Sequence, residues 1–315
     1  MDRLNNILLH KIKRFKQFAV NVMANCREAP VIVLLYHRVC ERHDDCQQLA
    51  VSPENFDKQI KFLSQNYPIL RFEDNWEKVK QTSFVITFDD GYSDNLNNAL
   101  PILKKYSVPA TFFVASENVQ SAKEFWWDQL EQIILNTKVE LDKLDLPISK
   151  EEAIIQTQLA LKSLAVQERD AFIVKLARQA GIELKTREEY RPMTTEELKQ
   201  LDADELVSIG SHTVNHPQLA ALKQTEQEYE INTGKTQLEN ILGHKVNTFS
   251  YPFGNIDDFS SVTMEICKQA NITKAAANFP GQSHSWTDPY QIPRSLVRNW
   301  NLDEFKKQLF RFKHL

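Results

Sequence analysis

Two adjacent carboxylates, Asp89 and Asp90, directly follow the apolar and β-branched run at residues 84–88, and His212 and His216 stand four residues apart farther along the chain. Imidazoles at that spacing can point at one metal ion, and a carboxylate from elsewhere completes a ligand set with open positions. Asp90 is the natural third ligand. Because successive side chains at a strand end point in different directions, Asp89 can instead accept a proton from water beside the ion. These residues predict a hydrolytic metal centre.

The expected cofactor is one divalent metal ion. Two imidazoles and one carboxylate make zinc the first choice, and iron, cobalt, nickel or manganese would fit the same ligands. The segment CERHDDC at residues 40–46 also has a spacing that could bind zinc, but it offers only three nearby ligands. A surface loop is the preferred interpretation of that segment.

Alternating strand and helix patterns must position these residues. Strand patterns at 31–37, 84–88 and 110–115 are separated by helical patterns, and the alternation resumes near residue 195. Strands alternating with helices predict a parallel sheet. Residues 117–190 carry apolar residues at helical spacing and no strand pattern, so we expect them to form a mostly helical insertion.

The composition indicates which partners and which cellular compartment to expect. The chain has 38 basic and 42 acidic residues, a net charge of −4 that does not favour nucleic acid through bulk electrostatics. No nucleic-acid partner is therefore expected. Four cysteines without a C-x-x-C pair form no disulfide framework in a chain of 315 residues, which favours a reducing compartment. The sequence does not indicate an oligomeric state.

Residues 1–30 are expected to form a basic, amphipathic N-terminal helix. Basic residues interrupt its apolar stretches, which argues against a signal peptide, and no 18-residue apolar run exists in the chain. A cytoplasmic protein is therefore expected. The apolar residues share one helical face and the basic residues lie elsewhere, which suits peripheral contact of residues 1–25 with an anionic inner membrane face. A helix packed on its own domain is the alternative. The apolar residues are Leu4, Leu8, Ile12, Phe15 and Ala19, and the basic residues are Lys11, Lys13, Arg14 and Lys16.

Three short motifs resemble those of a known family. TFDDG at 87–91 and HTVNH at 212–216 are similar to the first two motifs of the polysaccharide deacetylase family, the NodB homology domain of carbohydrate esterase family 4. YPFG at 251–254 is similar to the third motif. The resemblance implies an α/β fold, a distorted (β/α)7-type barrel over residues 31–315, with the helical insertion at about 117–190 and the site at the carboxyl ends of the strands.

The same resemblance assigns roles to four residues. Asp89 is implied as the catalytic base, and Asp90, His212 and His216 are implied as the metal ligands. The opening segment VIVLLYHRV is similar to that of the poly-N-acetylglucosamine deacetylase-like branch of the family. That branch is therefore the closest resemblance.

The chain departs from the family where the base is oriented. Typical members begin the third motif with an arginine that holds the base, whereas this chain has Ser250 at the corresponding place. Another group must orient Asp89. Arg294, in QIPRSL at the end of a late strand pattern, has a guanidinium that can grip a carboxylate with two hydrogen bonds. An ordinary surface arginine is the alternative.

The general acid is the second departure. Typical members supply a late histidine, but only His314 follows Arg294. The resemblance to the branch assigns the role to His37, at the end of the first strand pattern, where an imidazole that titrates near neutral pH suits protonation of a leaving amine. A structural histidine at a strand end is the alternative, and His284 is the second candidate for the acid.

Aromatic residues are expected to contact the substrate. Phe253 and Tyr251 lie in the third motif, and a backbone N–H near Phe253 is expected to hold the developing oxyanion. Trp127 follows Trp126 directly, so one of the two could stack on a sugar while the other enters the core, and core packing of both is the alternative. Trp286 could take the place of the family's fourth-motif tryptophan.

The resemblance implies a metal-dependent hydrolase that removes an N-acetyl group from an N-acetylated sugar or glycan. One alternative is a catalytically silent carbohydrate-binding barrel, which the missing third-motif arginine would explain. Another is a hydrolase of a different small amide, such as a formamide or a cyclic ureide. Retention of both aspartates and both histidines favours an enzyme, because sugar binding alone requires no metal ligands. Polymeric, lipid-linked and nucleotide-linked sugars all remain open as substrates.

Overall fold

The computed structural model describes residues 21–42, 44–77, 79–147 and 149–314. The strands in these ranges are numbered in chain order. They are β1 (Val31–Tyr36), β2 (Arg38–Val39), β3 (Ala50–Val51), β4 (Ile69–Leu70), β5 (Ser83–Phe88), β6 (Ala110–Val114), β7 (Val207–Ser211), β8 (Thr248–Ser250), β9 (Lys274–Ala276) and β10 (Arg294–Leu296).

The main sheet is parallel, with the order β10-β1-β5-β6-β7-β8-β9 and with β4 paired to β5. Its two ends approach each other, because a parallel bridge joins Ala276 of β9 to Ile292, just before β10. The Ile292 N–H donates to the Ala275 carbonyl, and the Ala277 N–H donates to the Ile292 carbonyl. The predicted distorted (β/α)7-type barrel is therefore confirmed, and its near-closure sets the last strand, β10, beside the first.

Helices surround the sheet and begin where local sequence favours a start. The Ser52 side chain accepts the Asn55 N–H at the start of the first helix, and Pro53 takes the first helical position, where a missing N–H costs little. The α-helices are α1 (Pro53–Asn66), α2 (Leu100–Tyr106), α3 (Ser116–Ser121), α4 (Trp126–Asn136), α5 (Lys150–Lys162), α6 (Val166–Ala180), α7 (Thr195–Asp202), α8 (Gln224–Leu242), α9 (Ser261–Gln269) and α10 (Leu302–His314).

The central strands β1 and β5 are buried along their whole length. Helices cover parallel sheets on both faces, so such strands read as near-continuous apolar runs. The two strands pair in register from Val31 opposite Ser83 to Tyr36 opposite Phe88. The residues that follow them, His37 and Asp89, therefore leave the sheet at the same level.

The described part of the chain between β6 and α7 consists of helices joined by turns and irregular segments, with no named strand. Helix α4 packs against both α5 and α6 around a hydrophobic cluster separate from that of the barrel. Tyr92 and Phe253, which lie on loops after β5 and β8, join this cluster. The helical segment therefore sits beside the carboxyl ends of the strands.

Two sequence expectations fall on residues outside the described ranges. Residues 1–20, and with them most of the predicted helix 1–30 and of the membrane contact at 1–25, lie outside, as does His43 of CERHDDC. Within the described ranges, no helix combines the length and the apolar character that a membrane span needs. All four cysteines are free thiols. The membrane contact and the compartment stay predictions.

Helix α8 passes very close to the loop that follows β7. A Cβ built on Gly234 would lie 2.7 Å from the carbonyl carbon of Thr213. A glycine inside a helix costs about 0.5–1 kcal/mol relative to alanine, so helix propensity does not explain this residue. The close approach of α8 to the loop does.

Gly234→Ala should therefore lower the free energy of unfolding by about 1–3 kcal/mol through overpacking, although alanine is the better helix former. Gly181→Ala is the control, because a Cβ there meets no atom within 4 Å and only the left-handed backbone, with φ of +67°, opposes it. That strain costs roughly 1–2 kcal/mol. Urea denaturation of both variants measures the loss of stability. The metal-binding affinity is the second readout, because overpacking at Gly234 would displace the ligand loop whereas backbone strain at Gly181 would not. A Gly234→Ala protein of unchanged stability and metal affinity would show that α8 does not constrain the loop.

Candidate metal centre and active site

The carboxyl ends of neighbouring strands deliver the candidate residues to one end of the barrel. His37 follows β1, Asp89 and Asp90 follow β5, and His212 follows β7. Both aspartates, His212 and His216 are buried. Loops at the carboxyl ends of barrel strands are where such folds place their sites, and the structure brings these residues together there.

Asp90, His212 and His216 have the geometry of a metal-ligand set. The Asp90 Oδ1 lies 3.6 Å from the His212 Nε2 and 3.5 Å from the His216 Nε2. Ligands about 2.1 Å from a tetrahedral ion stand about 3.4 Å from one another. Three ligand atoms, all within 4.8 Å of one another, therefore fit one ion with a position left open.

The electrostatics of the three residues also fit a cation. Burial, followed by the nearby charge of Asp89, raises the pKa of Asp90 well above its usual range. A cation bound beside Asp90 would favour its ionised form and so lower that pKa. Burial lowers the pKa of both His212 and His216. Neutral imidazoles are the form that binds a metal.

Each histidine is held in a different way. The His212 Nδ1 lies 2.7 Å from the Ser250 carbonyl oxygen, so Nδ1 carries the proton and Nε2 keeps its lone pair for an ion. The His216 Nδ1 has no hydrogen-bond partner among the described residues. Its ring instead packs edge-on against the rings of Trp127 and Phe253, with centroids 4.7 and 4.8 Å away. Aromatic packing therefore takes the orienting role that a hydrogen bond usually has.

A buried glutamate holds the loop between the two histidines. Glu230 of α8 accepts the backbone N–H groups of Val214 and Asn215 at 3.0 and 2.9 Å. It also accepts the Asn215 side-chain amide at 2.8 Å. These bonds, with the close approach of Gly234, fix the position of the HTVNH loop on α8.

Backbone strain is concentrated at the site. Asp90, Thr213, His216 and Phe253 all have positive φ angles, of 76°, 68°, 53° and 61°. Non-glycine residues rarely adopt the left-handed region, and such residues cluster at functional sites. Two of the three candidate ligands are therefore held in backbone conformations that the surrounding contacts must maintain.

Arg294 grips Asp89 with both ends of its guanidinium. Its Nη1 donates to Oδ1 and its Nη2 to Oδ2, each at 2.7 Å. The Ser250 hydroxyl donates to Oδ2 at 3.1 Å and accepts from the Arg294 Nη2 at 2.7 Å. Ser250, where the motif resemblance leads one to expect an arginine, thus contacts the same carboxylate that the guanidinium reaches from β10.

One detail of the expected placement of Arg294 is wrong. The sequence pattern put it at the end of a late strand, whereas it is the first residue of β10 and pairs with Val33, deep in the sheet. The Arg294 side chain is long enough to reach from the middle of the sheet to Asp89 at its end, and it is 0% exposed. Burial opposes ionisation of Asp89, but the Arg294 charge and its hydrogen bonds outweigh it, so the pKa of Asp89 lies below its usual range.

His37 borders the same cavity as the two aspartates and the two histidines. Its Nδ1 has no hydrogen-bond partner in the described part of the chain. Burial lowers the pKa of His37 to about 4, with the charge of Arg294 acting in the same direction and that of Asp89 opposing it. The resting imidazole is therefore neutral at pH 7, rather than poised near neutral pH as expected, and it must gain a proton before it can donate one.

The cavity has a volume of about 380 Å³. Phe253, Trp126 and Trp127 line it, so both tryptophans reach the site although each is only 6% exposed. This volume lies near the lower end of the range of ligand pockets. The cavity therefore has room for about one sugar residue.

Two of the expected substrate contacts are not brought to the cavity. Tyr251 is completely buried, and its hydroxyl donates to the Tyr290 carbonyl, so it supports the third-motif loop from behind. Trp286 is 56% exposed and stacks on His284, which in turn is bonded to Asn25. Neither residue of that pair lines the cavity. The sequence placed Trp286 near the site only by similarity to the tryptophan of the family's fourth motif, which this chain lacks.

Sequence reasoning missed the group that supports Trp127. The Trp127 indole N–H donates to the Tyr92 hydroxyl at 2.8 Å, and that hydroxyl donates to the Asp128 Oδ2 at 2.6 Å. This chain of bonds fixes the indole that packs on His216. The available signal was position, because Tyr92 directly follows TFDDG and Asp128 directly follows Trp127.

Comparisons with known proteins identify the family. Residues 77–143 and 146–275, more than half of the chain, match the polysaccharide deacetylase family. The chain belongs to the polysaccharide deacetylase family. A relative named for the same family, YxkH of Bacillus subtilis (strain 168), is 20% identical over 278 residues, which are 86% of this chain and 72% of that protein.

Solved structures share the deacetylase fold. The Streptococcus pyogenes deacetylase PplD in complex with acetate has a TM-score of 0.59 and 18% identity, covering 89% of this chain and 98% of that one. IcaB from Ammonifex degensii has a TM-score of 0.60 and 18% identity, covering 91% and 98%. At these identities the likeness concerns the fold alone.

For this deacetylase-family member, the two-pronged contact of Arg294 with Asp89 yields a prediction. Arg294→Lys keeps the charge but loses the planar fork, so it should lower the free energy of unfolding by about 1.5–3 kcal/mol. Arg298→Lys is the matched control, because among the described residues the Arg298 guanidinium donates only to the Gln47 and Gln48 carbonyls. Urea denaturation compares the two variants. Equal losses in both would contradict a special role for the fork.

Proposed function

We propose that this protein is a metal-dependent hydrolase that removes an N-acetyl group from an N-acetylated sugar or glycan. The observation that carries the proposal is the buried Asp89–Arg294 pair, which stands beside the Asp90, His212 and His216 set. One carboxylate is held in a fixed orientation, and its neighbour joins two imidazoles. That division between a proton acceptor and a ligand set suits hydrolysis of an amide.

Asp90, His212 and His216 would hold the ion, for which zinc is the first candidate and iron, cobalt, nickel and manganese are others. A divalent ion bound there supplies a Lewis acid for a carbonyl oxygen and lowers the pKa of water. The Ser250 carbonyl and the rings of Trp127 and Phe253 keep the two imidazoles turned toward it.

Asp89 is proposed as the proton acceptor. Arg294 and Ser250 fix its carboxylate, so no rearrangement is required when a water molecule gives up its proton. The low pKa of Asp89 means that the proton is readily passed on. The neutral His37, which borders the same cavity, can receive a proton and donate it to the departing amine.

The backbone N–H of Phe253 is proposed to stabilise the developing oxyanion. The N–H groups of Tyr251 and Gly254 donate to the Ala276 and Pro252 carbonyls, whereas no acceptor among the described residues takes the Phe253 N–H. Phe253 also lines the cavity. A free donor at the cavity wall is what such a role requires.

The reason to consider a silent sugar-binding barrel was the missing third-motif arginine. Arg294 supplies a guanidinium to the same carboxylate, which favours hydrolysis over binding alone. No observation favours a formamide or a cyclic ureide over an N-acetylated sugar, so these amides serve as comparison substrates in the assay.

The test is release of acetate from N-acetylated sugars by the metal-loaded protein, with the two aspartate variants beside the wild type. Asp89→Asn should abolish turnover and keep most of the metal, because the base is lost but the ligands remain. Asp90→Asn should lose the metal as well. Elemental analysis and acetate assays measure both quantities. Equal metal loss in the two variants, or acetate release that survives in Asp89→Asn, would refute the division of roles.

His37 is tested separately, by its effect on turnover at constant metal content. His37→Ala should lower kcat by about 10²–10⁴-fold, the usual contribution of general acid catalysis, while metal affinity stays near that of the wild type. His284→Ala is the matched control, since its imidazole lies away from the cavity. A full kcat in His37→Ala, or a larger loss in His284→Ala, would return the acid role to another residue.

A further inference from the structure

Helix α5 of the insertion forms one wall of the catalytic cavity. Ile155, Gln158, Leu159 and Lys162 all line the cavity, and residues three and four positions apart share one face of a helix. The other face is buried in the insertion through Ala153, Ile154, Thr157 and Leu161. The apolar residues at 155 and 159 are therefore not needed by the insertion core, although they face the site.

This wall is fixed to the barrel across the cavity. The Lys162 Nζ lies 2.6 Å from the Asp258 Oδ1, whose side chain is only 1% exposed. The same ammonium lies 4.6 Å from the centre of the Phe253 ring. Asp258 also accepts the backbone N–H of Asn255 at 2.9 Å. Helix α5 is thus tied to the loop that carries Phe253. Its position is therefore defined relative to the cavity in which the substrate would bind.

The charges of the cavity disfavour a nucleotide-linked sugar as the substrate. Among the described residues that line it, Lys162 is the sole lysine or arginine, and its ammonium is already paired with Asp258. The diphosphate of a nucleotide-linked sugar would therefore find no free cationic side chain. The lining offers the side-chain amides of Gln47, Gln158, Asn255 and Asn278 instead, which suit the hydroxyl and acetamido groups of an uncharged sugar.

Gln158 has an unused hydrogen-bonding group at this wall. Its Nε2 is enclosed and has no hydrogen-bond partner among the described residues. Buried polar atoms nearly always have partners, and Gln158 lines the cavity, so a group of the bound ligand is the expected partner of this amide. Beside it, Ile155 and Leu159 are 39% and 66% exposed. An amide and two apolar side chains thus lie on the same helical face.

We infer that α5 is the specificity wall of the site. The Gln158 amide hydrogen-bonds the uncharged N-acetylated sugar in the cavity, and Ile155 and Leu159 contact an apolar surface next to that sugar. The apolar surface is either the C–H face of the adjoining sugar in a glycan or a hydrocarbon group linked to the sugar. This inference rests on the proposed function, because it assumes that the cavity binds an N-acetylated sugar.

The test uses the metal-loaded full chain and four N-acetylhexosamine probes: the methyl glycoside, the octyl glycoside, the β-linked tetramer and the nucleoside-diphosphate-linked sugar. Binding is measured by calorimetry, and acetate release is measured in parallel. Gln158→Ala is compared with Gln156→Ala, because Gln156 is exposed on the same helix and bonded to Glu152. Leu159→Ser is compared with Val174→Ser, whose side chain is 54% exposed on α6.

We expect Gln158→Ala to weaken binding of the methyl glycoside roughly three- to tenfold, as loss of one hydrogen bond predicts, with metal affinity unchanged and Gln156→Ala like the wild type. The octyl glycoside or the tetramer should bind more tightly than the methyl glycoside, and that preference should shrink in Leu159→Ser but not in Val174→Ser. Whichever of the two is preferred identifies the source of the apolar surface.

The inference is overturned if Gln158→Ala and Gln156→Ala bind the probes alike, if Leu159→Ser keeps the full preference, or if the nucleotide-linked sugar binds best. Absence of measurable binding by the wild type to all four probes would overturn it as well. Sugar binding that depends on Gln158 without any release of acetate would instead refute the hydrolase and leave the wall intact, so the two failures are distinguishable.

Discussion

The rest of the site depends on the buried ion pair between Asp89 and Arg294. A carboxylate this deeply enclosed is stable as an ion only when its partner satisfies both oxygens, and the guanidinium fork does so at 2.7 Å on each side. The pair also binds β5 to β10 and, through Ser250, to the end of β8. One interaction therefore orients the proposed base and ties together three strands of the barrel that deliver the site.

The pair also shows how a guanidinium can reach the carboxylate at the end of β5 although the third motif of this chain has no arginine. A base is oriented by the position of the guanidinium, and the strand that supplies it is immaterial. Near-closure of the sheet sets β10 beside β1, which is itself beside β5. A side chain that starts low on β10 can therefore rise to the carboxylate at the end of β5. Ser250 completes the arrangement, because its hydroxyl donates to the Asp89 carboxylate and accepts from the Arg294 guanidinium.

The insertion is part of the architecture of the candidate site. Tyr92 and Asp128 hold the Trp127 indole, the indole packs against the His216 ring, and α5 closes one side of the cavity. The helices of the insertion thus reach both the metal-ligand set and the proposed substrate. The insertion can pack around its own hydrophobic cluster and still line the cavity, because α5 has apolar residues on two faces. One face packs into the cluster and the other faces the cavity.

The sequence by itself determined the alternating α/β organisation and pointed to Asp90, His212 and His216 as a candidate ligand set, because hydrophobic periodicity and short motifs are local properties of the chain. Its resemblance to the family also implied that another group must orient Asp89. The sequence also pointed to Arg294, through the late strand pattern in which that residue lies, and its resemblance to one branch of the family pointed to His37. Only the tertiary structure decided that Tyr251 supports its loop from behind, that Trp286 lies away from the site, and that Tyr92, Glu230 and Gln158 belong to it. Those roles depend on which distant segments meet and on how far each side chain is buried. The depressed pKa of His37 has the same origin, because desolvation is set by the packed surroundings and not by neighbours along the chain.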